Sequence, residues 1–227
     1  LETPVTGGNV SLYNESKNKD NEITPINPTP VIGMVGKIDN IEKSVSSEWK
    51  NIDDQIWLVG SHKSQTTIAA SSYLEYFHGE VTGRPPLIDL LDEKFCQGFL
   101  RNAIQKGFVM SSHDVSDGGL AIALAESCIL AEKGATLELQ KNIDRDDNLL
   151  FAEGGSRIIF SIDKMKGKEW LNYLKEVQLN IPTSVYVKKI GYVSSETLKI
   201  KIQDKNICNI RVEELIEKFN NSISAHF

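Results

Sequence analysis

Apolar and polar positions follow two different periods along the chain, and these periods predict strands and helices. Short apolar runs between turn residues predict strands, at 31–36, 56–59, 108–110, 136–139, 158–162, 185–193 and 198–202. Apolar residues at helical spacing predict helices, at 73–77, 92–107, 120–133, 144–151, 170–177 and 212–219. Because strands and helices interleave throughout, the sequence predicts an α/β or α+β fold.

The apolar residues between Leu120 and Leu130 predict the helix around which the main domain is organised. They occupy nearly every side of that helix, and a helix of this kind is normally buried. The strand 108–110 comes before it, and Ser116 or Asp117 can cap its first turn. We therefore expect a strand–loop–helix unit at the centre of the domain.

The loop before this helix has two chemical interpretations. A helix N-terminus beside two glycines suits an anion, because free N–H groups point outward there. Asp114 and Asp117 repel a bare phosphate, however, unless a metal bridges them. In the other interpretation the two aspartates hold a turn and a cap, with His113 packed beside them. No catalytic role is assigned to the loop.

Other stretches predict loops, a boundary and an exposed face. The polar segment 18–29 predicts a loop, the apolar run 31–36 a buried strand, and the charged segment 37–54 a domain boundary. Near the end of the chain, Lys199 and Lys201 alternate with apolar residues. That alternation predicts one solvent-exposed face at the edge of the sheet.

Composition and charge restrict the classes of protein to consider. The 227 residues are 40% hydrophobic and 25% charged, with a net charge of −6, which is the profile of a globular protein. Without a basic block we expect no nucleic-acid partner, and no apolar run approaches the ~18–20 residues of a membrane span. Three scattered cysteines, Cys96, Cys128 and Cys208, indicate free thiols, and we expect a cytoplasmic location.

The most specific motif lies at 7–16, close to the first residue, which suggests that the chain is a fragment of a longer protein. Gly7 and Gly8 allow a backbone to approach a bulky ligand. Asn9 offers an amide oxygen, a ligand suited to Mg²⁺, and Ser11 offers a hydroxyl to a phosphate or a substrate amide. The alternative is a Gly-Asn turn followed by a half-buried strand.

Three motifs together resemble one enzyme family. They are Gly-Asn-Val-Ser-Leu-Tyr-Asn-Glu at 8–15, Pro-Thr-Pro-Val-Ile-Gly-Met-Val-Gly at 28–36, and His-Asp-Val-Ser-Asp-Gly-Gly-Leu at 113–120, the last followed by Ala125 and Glu126. In this order and spacing they resemble phosphoribosylformylglycinamidine synthase, in the small type of its synthetase subunit. The resemblance covers only the C-terminal portion of that enzyme.

The resemblance implies a domain organisation. The family has two tandem halves, each similar to aminoimidazole ribonucleotide synthetase and each built from an N-terminal and a C-terminal α/β domain. Residues 1–40 are then the tail of the second N-terminal synthetase-like domain. Residues 50–227 are then the C-terminal synthetase-like domain, a mixed sheet with packed helices.

The resemblance also implies a reaction and partners. In the family, ATP phosphorylates the amide oxygen of formylglycinamide ribonucleotide, and ammonia then displaces phosphate. The implied partners are a glutaminase subunit, a small bridging subunit and the missing N-terminal half of the same enzyme. By this resemblance Gly8 contacts ATP, Asn9 binds Mg²⁺ and Ser11 contacts the substrate. The family's catalytic histidines and ATP-binding lysine lie outside this chain, so the chain alone is expected to be inactive.

Two alternatives stay open beside this resemblance. One is an aminoimidazole ribonucleotide synthetase-type enzyme, although the string 10–15 is typical of the amidine-forming family. The other is a non-catalytic structural half that packs against an active half. The segment 69–72 departs from the glycine-containing step of many family members, and no ligand role is assigned to it.

Overall fold

The structure is a computed structural model that describes residues 3–10, 14–64, 66–140 and 145–222. The chain divides into two compact units, Leu1–Ile41 and Glu42–Phe227. No helix in the described ranges is both long and apolar enough to cross a membrane.

The first unit contains a small antiparallel hairpin, and its second strand lies in the segment 18–29, which was predicted to be a loop. Strands β1 (Glu15–Lys17) and β2 (Ile23–Pro25) pair across a turn that Asn18 closes. The Asn18 side-chain oxygen accepts hydrogen bonds from the amides of Asp20 and Glu22, at 3.0 and 2.9 Å. Such side chain–backbone bonds are a standard way for asparagine to stabilise a turn.

The prediction of a buried strand at 31–36 is wrong. Among the residues described, this stretch forms no strand, and Val31 and Val35 are 93% and 97% exposed. An apolar run becomes a buried strand only where neighbouring strands satisfy its backbone and an apolar layer covers its side chains. The described part of the first unit provides neither.

The second unit is built on a seven-stranded sheet with strand order β4-β6-β3-β7-β5-β8-β9. The strands are β3 (Gln55–Ser61), β4 (Val109–Asp114), β5 (Gly134–Leu139), β6 (Arg157–Ile162), β7 (Val185–Ser194), β8 (Thr197–Ile202) and β9 (Lys205–Arg211). Neighbouring strands are antiparallel except β5 and β8, which are parallel. The sheet is therefore mixed, as the resemblance implies.

Helices cover both faces of this sheet. They are α1 (Ser72–His78), α2 (Leu90–Gln105), α3 (Gly119–Ala131), α4 (Asp146–Phe151), α5 (Gly167–Val177) and α6 (Val212–Asn221). The described residues also form short 3₁₀ turns at Ile41–Lys43, Lys164–Lys166 and Gln178–Asn180. One face carries a cluster that joins the sheet to α3, α4 and α6. The other carries a cluster with α2 and α5 around Trp170.

The alternation along β3 shows why the sheet needs two helical layers. Ile56 and Leu58 pack into the α3 cluster, whereas Trp57 and Val59 pack into the α2–α5 cluster. Both faces of a central strand are thus apolar, so each must be covered. The α3 helix is the centre of one core rather than of the whole domain, and its Ile122 and Leu130 are 39% and 55% exposed.

Several predicted elements differ from the observed ones. Strand β4 continues to Asp114, through residues predicted to be a loop. The N-cap of α2 is Asp89, whose carboxylate accepts from two backbone amides, whereas Asp92, the predicted cap, lies inside the helix and is buried. Strand β9 was not predicted, because its alternation of polar and apolar residues is weak. Since β9 pairs with β8, Lys199 and Lys201 do not lie on the edge strand.

Candidate functional site

The motif at 7–16 lies in the first unit, and its described part is open. That part is irregular backbone except for Glu15 and Ser16, which begin β1. Gly8 and Asn9 are exposed, and a Cβ atom placed on Gly7 or Gly8 would meet no described atom within 4 Å. A cavity of about 800 Å³ lies beside them, lined by residues 3–7 and 31–34. Ser11 lies outside the described residues. The backbone around Gly8 therefore leaves room for a ligand, as the two glycines predict.

Asn9 offers a single hard donor for a cation. Its side chain is exposed, so its amide oxygen is accessible. Within the described ranges, no group of three or more His, Cys, Asp or Glu side chains could hold a metal. Because Mg²⁺ prefers about six oxygen ligands, Asn9 fits one position of such a shell, and the remaining oxygens must come from a ligand or from other parts of a protein. The Mg²⁺ assignment stays a prediction.

The N-terminus of α3 is capped by a side chain that the sequence did not indicate. Neither Ser116 nor Asp117 makes a cap, and the helix begins after Gly118, whose φ of 74° is left-handed. Glu153 Oε1 instead accepts a hydrogen bond from the Gly118 amide at 2.8 Å, across 35 residues of sequence. The same oxygen accepts from the Ser72 amide at the start of α1, at 2.9 Å. The anion that the helix N-terminus attracts is therefore the protein's own carboxylate.

Gly119 allows the close approach that this arrangement requires. A Cβ there would lie 2.7 Å from the backbone of Phe151 and Ala152, at the end of α4. Gly119 also has a left-handed φ of 73°, which most residues avoid. The two glycines of the motif thus bring α3 against the segment that carries Glu153.

His113 is held by two neighbours. Its Nδ1 lies 2.7 Å from the carbonyl oxygen of Asp114, and its Nε2 lies 3.0 Å from a carboxylate oxygen of Glu126. It is mostly buried beside the turn, as the interpretation of His113 as a packed residue predicts.

A cavity of about 480 Å³ lies next to the capped loop. It is lined by residues 114–117 and 153–158 and by two residues of α2, Glu93 and Gln97. Glu93 accepts hydrogen bonds from Ser156 Oγ at 2.8 Å and from Gln97 Nε2 at 2.7 Å. Four carboxylates and one arginine among these lining residues make the cavity acidic, so it disfavours a bare anion.

Sequence reasoning missed Glu153 and Ser156 as parts of this site. From the sequence alone, the segment Glu-Gly-Gly-Ser-Arg at 153–157 predicts only a turn. Its glycines and its position between a helix and a strand were available as a signal, but no local rule links Glu153 to a helix that begins 34 residues earlier.

Comparisons with known proteins agree with the fold. The family model described as AIR synthase related protein, C-terminal domain, matches residues 51–201. The chain is 84% identical over 227 residues to phosphoribosylformylglycinamidine synthase subunit PurL of Prochlorococcus marinus strain MIT 9301, and 82% identical to that of strain MIT 9312. It covers 29% of the length of each of these relatives.

Solved structures of lower identity share the architecture. Phosphoribosylformylglycinamidine synthase II from Thermotoga maritima matches with a TM-score of 0.59 at 15% identity, over 78% of this chain and 28% of that chain. The T. maritima PurL complexed with FGAR matches with a TM-score of 0.58 at 16% identity, over 78% of this chain and 30% of that chain. At these identities the likeness shows the fold alone.

Proposed function

The chain belongs to the family of AIR synthase related proteins, C-terminal domain, and from this premise we propose that it is the C-terminal part of a phosphoribosylformylglycinamidine synthase. The observation that carries the proposal is 84% identity along the full chain to a subunit of that name. The whole enzyme would be an ATP-dependent carbon–nitrogen ligase of purine biosynthesis. It would convert formylglycinamide ribonucleotide and ammonia to the amidine by way of a phosphorylated amide oxygen.

The two units fit the two domains that this proposal requires. Residues 1–40 would be the tail of the second N-terminal synthetase-like domain, and residues 50–227 the C-terminal one. Two observations support this division, since the matched family model lies within 51–201 and the chain passes from one compact unit to the other between Ile41 and Glu42.

The residues of the opening motif would serve the reaction directly. Gly8 would contact ATP, Asn9 would bind Mg²⁺ and Ser11 would contact the substrate. When bound, Mg²⁺ neutralises charge on phosphate oxygens. The exposure of Gly8 and Asn9 and the space around Gly7 and Gly8 support these roles. ATP as a substrate is supported by a T. maritima PurL structure complexed with ATP.

For the second unit we propose a structural role in this reaction. Glu153 already occupies the anion-attracting end of α3, and His113 is engaged by Asp114 and Glu126. Neither is free to act as a phosphate ligand or a proton carrier without first breaking these contacts. These contacts favour a structural role for the second unit over a second catalytic centre. The sequence of residues 10–15, typical of the amidine-forming family, disfavours the alternative of an aminoimidazole ribonucleotide synthetase.

The partners would be a glutaminase subunit that releases ammonia, a small bridging subunit, and the part of the enzyme that this chain does not include. A T. maritima structure named PurLQS shares the fold and supports such an assembly. We place the enzyme in the cytoplasm, where its three cysteines would stay free thiols.

The test is a chimera in which this chain replaces the corresponding 227 residues of the P. marinus MIT 9301 subunit. Amidine formation from formylglycinamide ribonucleotide, ATP, Mg²⁺ and ammonium chloride should stay within a few-fold of the parent rate. Asn9→Ala in the chimera should lower turnover strongly and change its dependence on Mg²⁺ concentration. Asn27→Ala, another exposed asparagine of the first unit, is the matched control.

Two results would contradict the proposal. A chimera that folds but forms no amidine would show that this chain does not support the synthase reaction. An Asn9→Ala variant with an unchanged Mg²⁺ profile would remove the metal assignment while leaving the family assignment intact.

A further inference from the structure

A second cavity in the larger unit carries a charge pattern opposite to that of the acidic cavity. It measures about 260 Å³ and lies over the sheet between β3, β7, α3 and α4. Its lining includes three groups that can carry positive charge, Arg157, Lys188 and His62, and the described lining residues include no aspartate or glutamate. It lies apart from the 7–16 motif in sequence and does not depend on the function proposed above.

The strand register places the polar groups of this cavity side by side. Gly60 of β3 pairs with Arg157 of β6 on one side and with Tyr186 of β7 on the other. Since Gly60 has no side chain, the Tyr186 phenol lies across it, and a Cβ there would overlap the phenolic oxygen. The His62 ring lies 4.8 Å from the Tyr186 ring. Arginine, tyrosine and histidine are thereby gathered at one end of the cavity.

Arg157 is a buried cation with unused hydrogen-bonding capacity. It is 7% exposed, and one of its terminal nitrogens donates to the Ala152 carbonyl. Its Nε has no hydrogen-bond partner among the described residues. Burial lowers the pKa of Arg157, with Tyr186 and Glu153 acting in the opposite direction. Arg157 lines this cavity and also the acidic one. A buried donor without a partner is costly, and an acceptor within hydrogen-bond distance of Nε would remove that cost.

Lys188 supplies the second cation. Its Nζ lies 4.9 Å from the centre of the Tyr186 ring, and no described carboxylate forms an ion pair with it. Burial alone lowers its pKa, since no negative charge offsets the lost hydration. An anion between Lys188 and Arg157 would stabilise both charged forms.

The size and donors of the cavity indicate the class of anion. Its volume is below the roughly 300–1,000 Å³ of most small-molecule sites, so it suits a small ion rather than a whole nucleotide. Arginine and lysine together with the hydroxyls of Thr66 and Tyr186 provide donors from several directions. A tetrahedral oxyanion accepts from several directions, whereas a carboxylate accepts in one plane. We propose that this cavity binds a small oxyanion of the phosphate class, either free phosphate or a terminal phosphomonoester.

The experiment is a titration of the 227-residue chain with inorganic phosphate, followed by calorimetry and by ³¹P NMR at constant ionic strength. The expected result is saturable binding of one phosphate per chain, with much weaker binding of acetate. Lys188→Met should weaken binding about tenfold, the effect of losing one hydrogen bond to a charged group. Lys188→Arg should keep most of the affinity.

Lys189→Met is the matched control, because Lys189 is the next residue of β7, exposed and on the opposite face of the sheet. It should leave the affinity unchanged. Thermal unfolding without phosphate shows whether each variant folds, and Lys188→Met should unfold at a temperature no lower than wild type, since it removes a buried charge. If Lys188→Met does not fold, the phosphate affinity of His62→Phe is compared with that of wild type instead, because His62 lies at the rim of the cavity.

Three results would overturn the proposal. They are no saturable phosphate binding by the wild-type chain, equal losses in Lys188→Met and Lys189→Met, and acetate binding as tight as phosphate binding. A parallel titration with phosphomonoesters distinguishes free phosphate from a terminal phosphomonoester as the ligand. Tighter binding of an ester than of inorganic phosphate assigns the cavity to a terminal phosphomonoester.

Discussion

Glu153→Ala tests the central claim about how α3 and α1 are anchored. One carboxylate oxygen accepts from the Gly118 amide at 2.8 Å and from the Ser72 amide at 2.9 Å. Gly118 is buried, whereas Ser72 is exposed. After the substitution, water can replace the carboxylate at Ser72 but not at Gly118.

The magnitude follows from that difference. A buried donor left without a partner costs roughly 1–3 kcal/mol, and loss of a negative charge at a helix N-terminus costs roughly 0.3–1 kcal/mol. The exposed bond to Ser72 contributes little, because it is screened by solvent. We therefore expect Glu153→Ala to lower the free energy of unfolding by about 1.3–4 kcal/mol, the sum of these two ranges. Glu153→Gln, which keeps an acceptor oxygen, should lower it by about 1 kcal/mol.

The assay is urea unfolding followed by circular dichroism and tryptophan fluorescence. Glu217→Ala is the control, since Glu217 is an exposed glutamate on α6, and its effect should stay within about 0.5 kcal/mol. If Glu153→Ala also changed stability by less than about 0.5 kcal/mol, the cap would contribute nothing and the reasoning about α3 would be refuted.

Replacing Leu124, which is fully buried on α3, by alanine should lower the free energy of unfolding by about 2–5 kcal/mol. The same replacement of the half-exposed Leu130 on that helix should lower it far less in the same urea experiment. Similar losses for the two variants would contradict the different burial of the two sides of α3. Burial raises the pKa of Asp54, so between its ordinary and its raised pKa the folded chain binds more protons than the unfolded chain, and stability falls as pH rises through that window. The free energy of unfolding of wild type relative to Asp54→Asn should therefore increase as pH falls through the raised pKa toward the ordinary aspartate pKa of about 3.9, and a constant difference would argue against the shift. The chain by itself should form no amidine with ammonium chloride as the nitrogen source, because a phosphoryl-transfer site needs several charged groups and metals at once; turnover near that of an intact synthase would refute the fragment assignment.

The sequence alone determined the element types of the larger unit. Apolar spacing predicted the strands of the sheet core and the helices that cover it. A strand or helix that buries one or both sides carries apolar residues at the period of that element. The exception in the larger unit is β9, whose alternation is weak. In the first unit the strand predicted at 31–36 is wrong, because its apolar side chains are exposed within this chain. The 7–16 motif likewise indicated Gly8 and Asn9 as an open, ligand-accessible stretch, while Ser11 lies outside the described residues.

Only the tertiary structure decided which residues meet. The order β4-β6-β3-β7-β5-β8-β9, the cap of α3 by Glu153, and the gathering of Arg157, Tyr186 and Lys188 at one cavity all join residues far apart in sequence. A local pattern reports whether a side chain is buried, but it does not say which partner satisfies its hydrogen bonds or its charge. Those partners are set by strand register and helix placement, which depend on the packing of the whole domain.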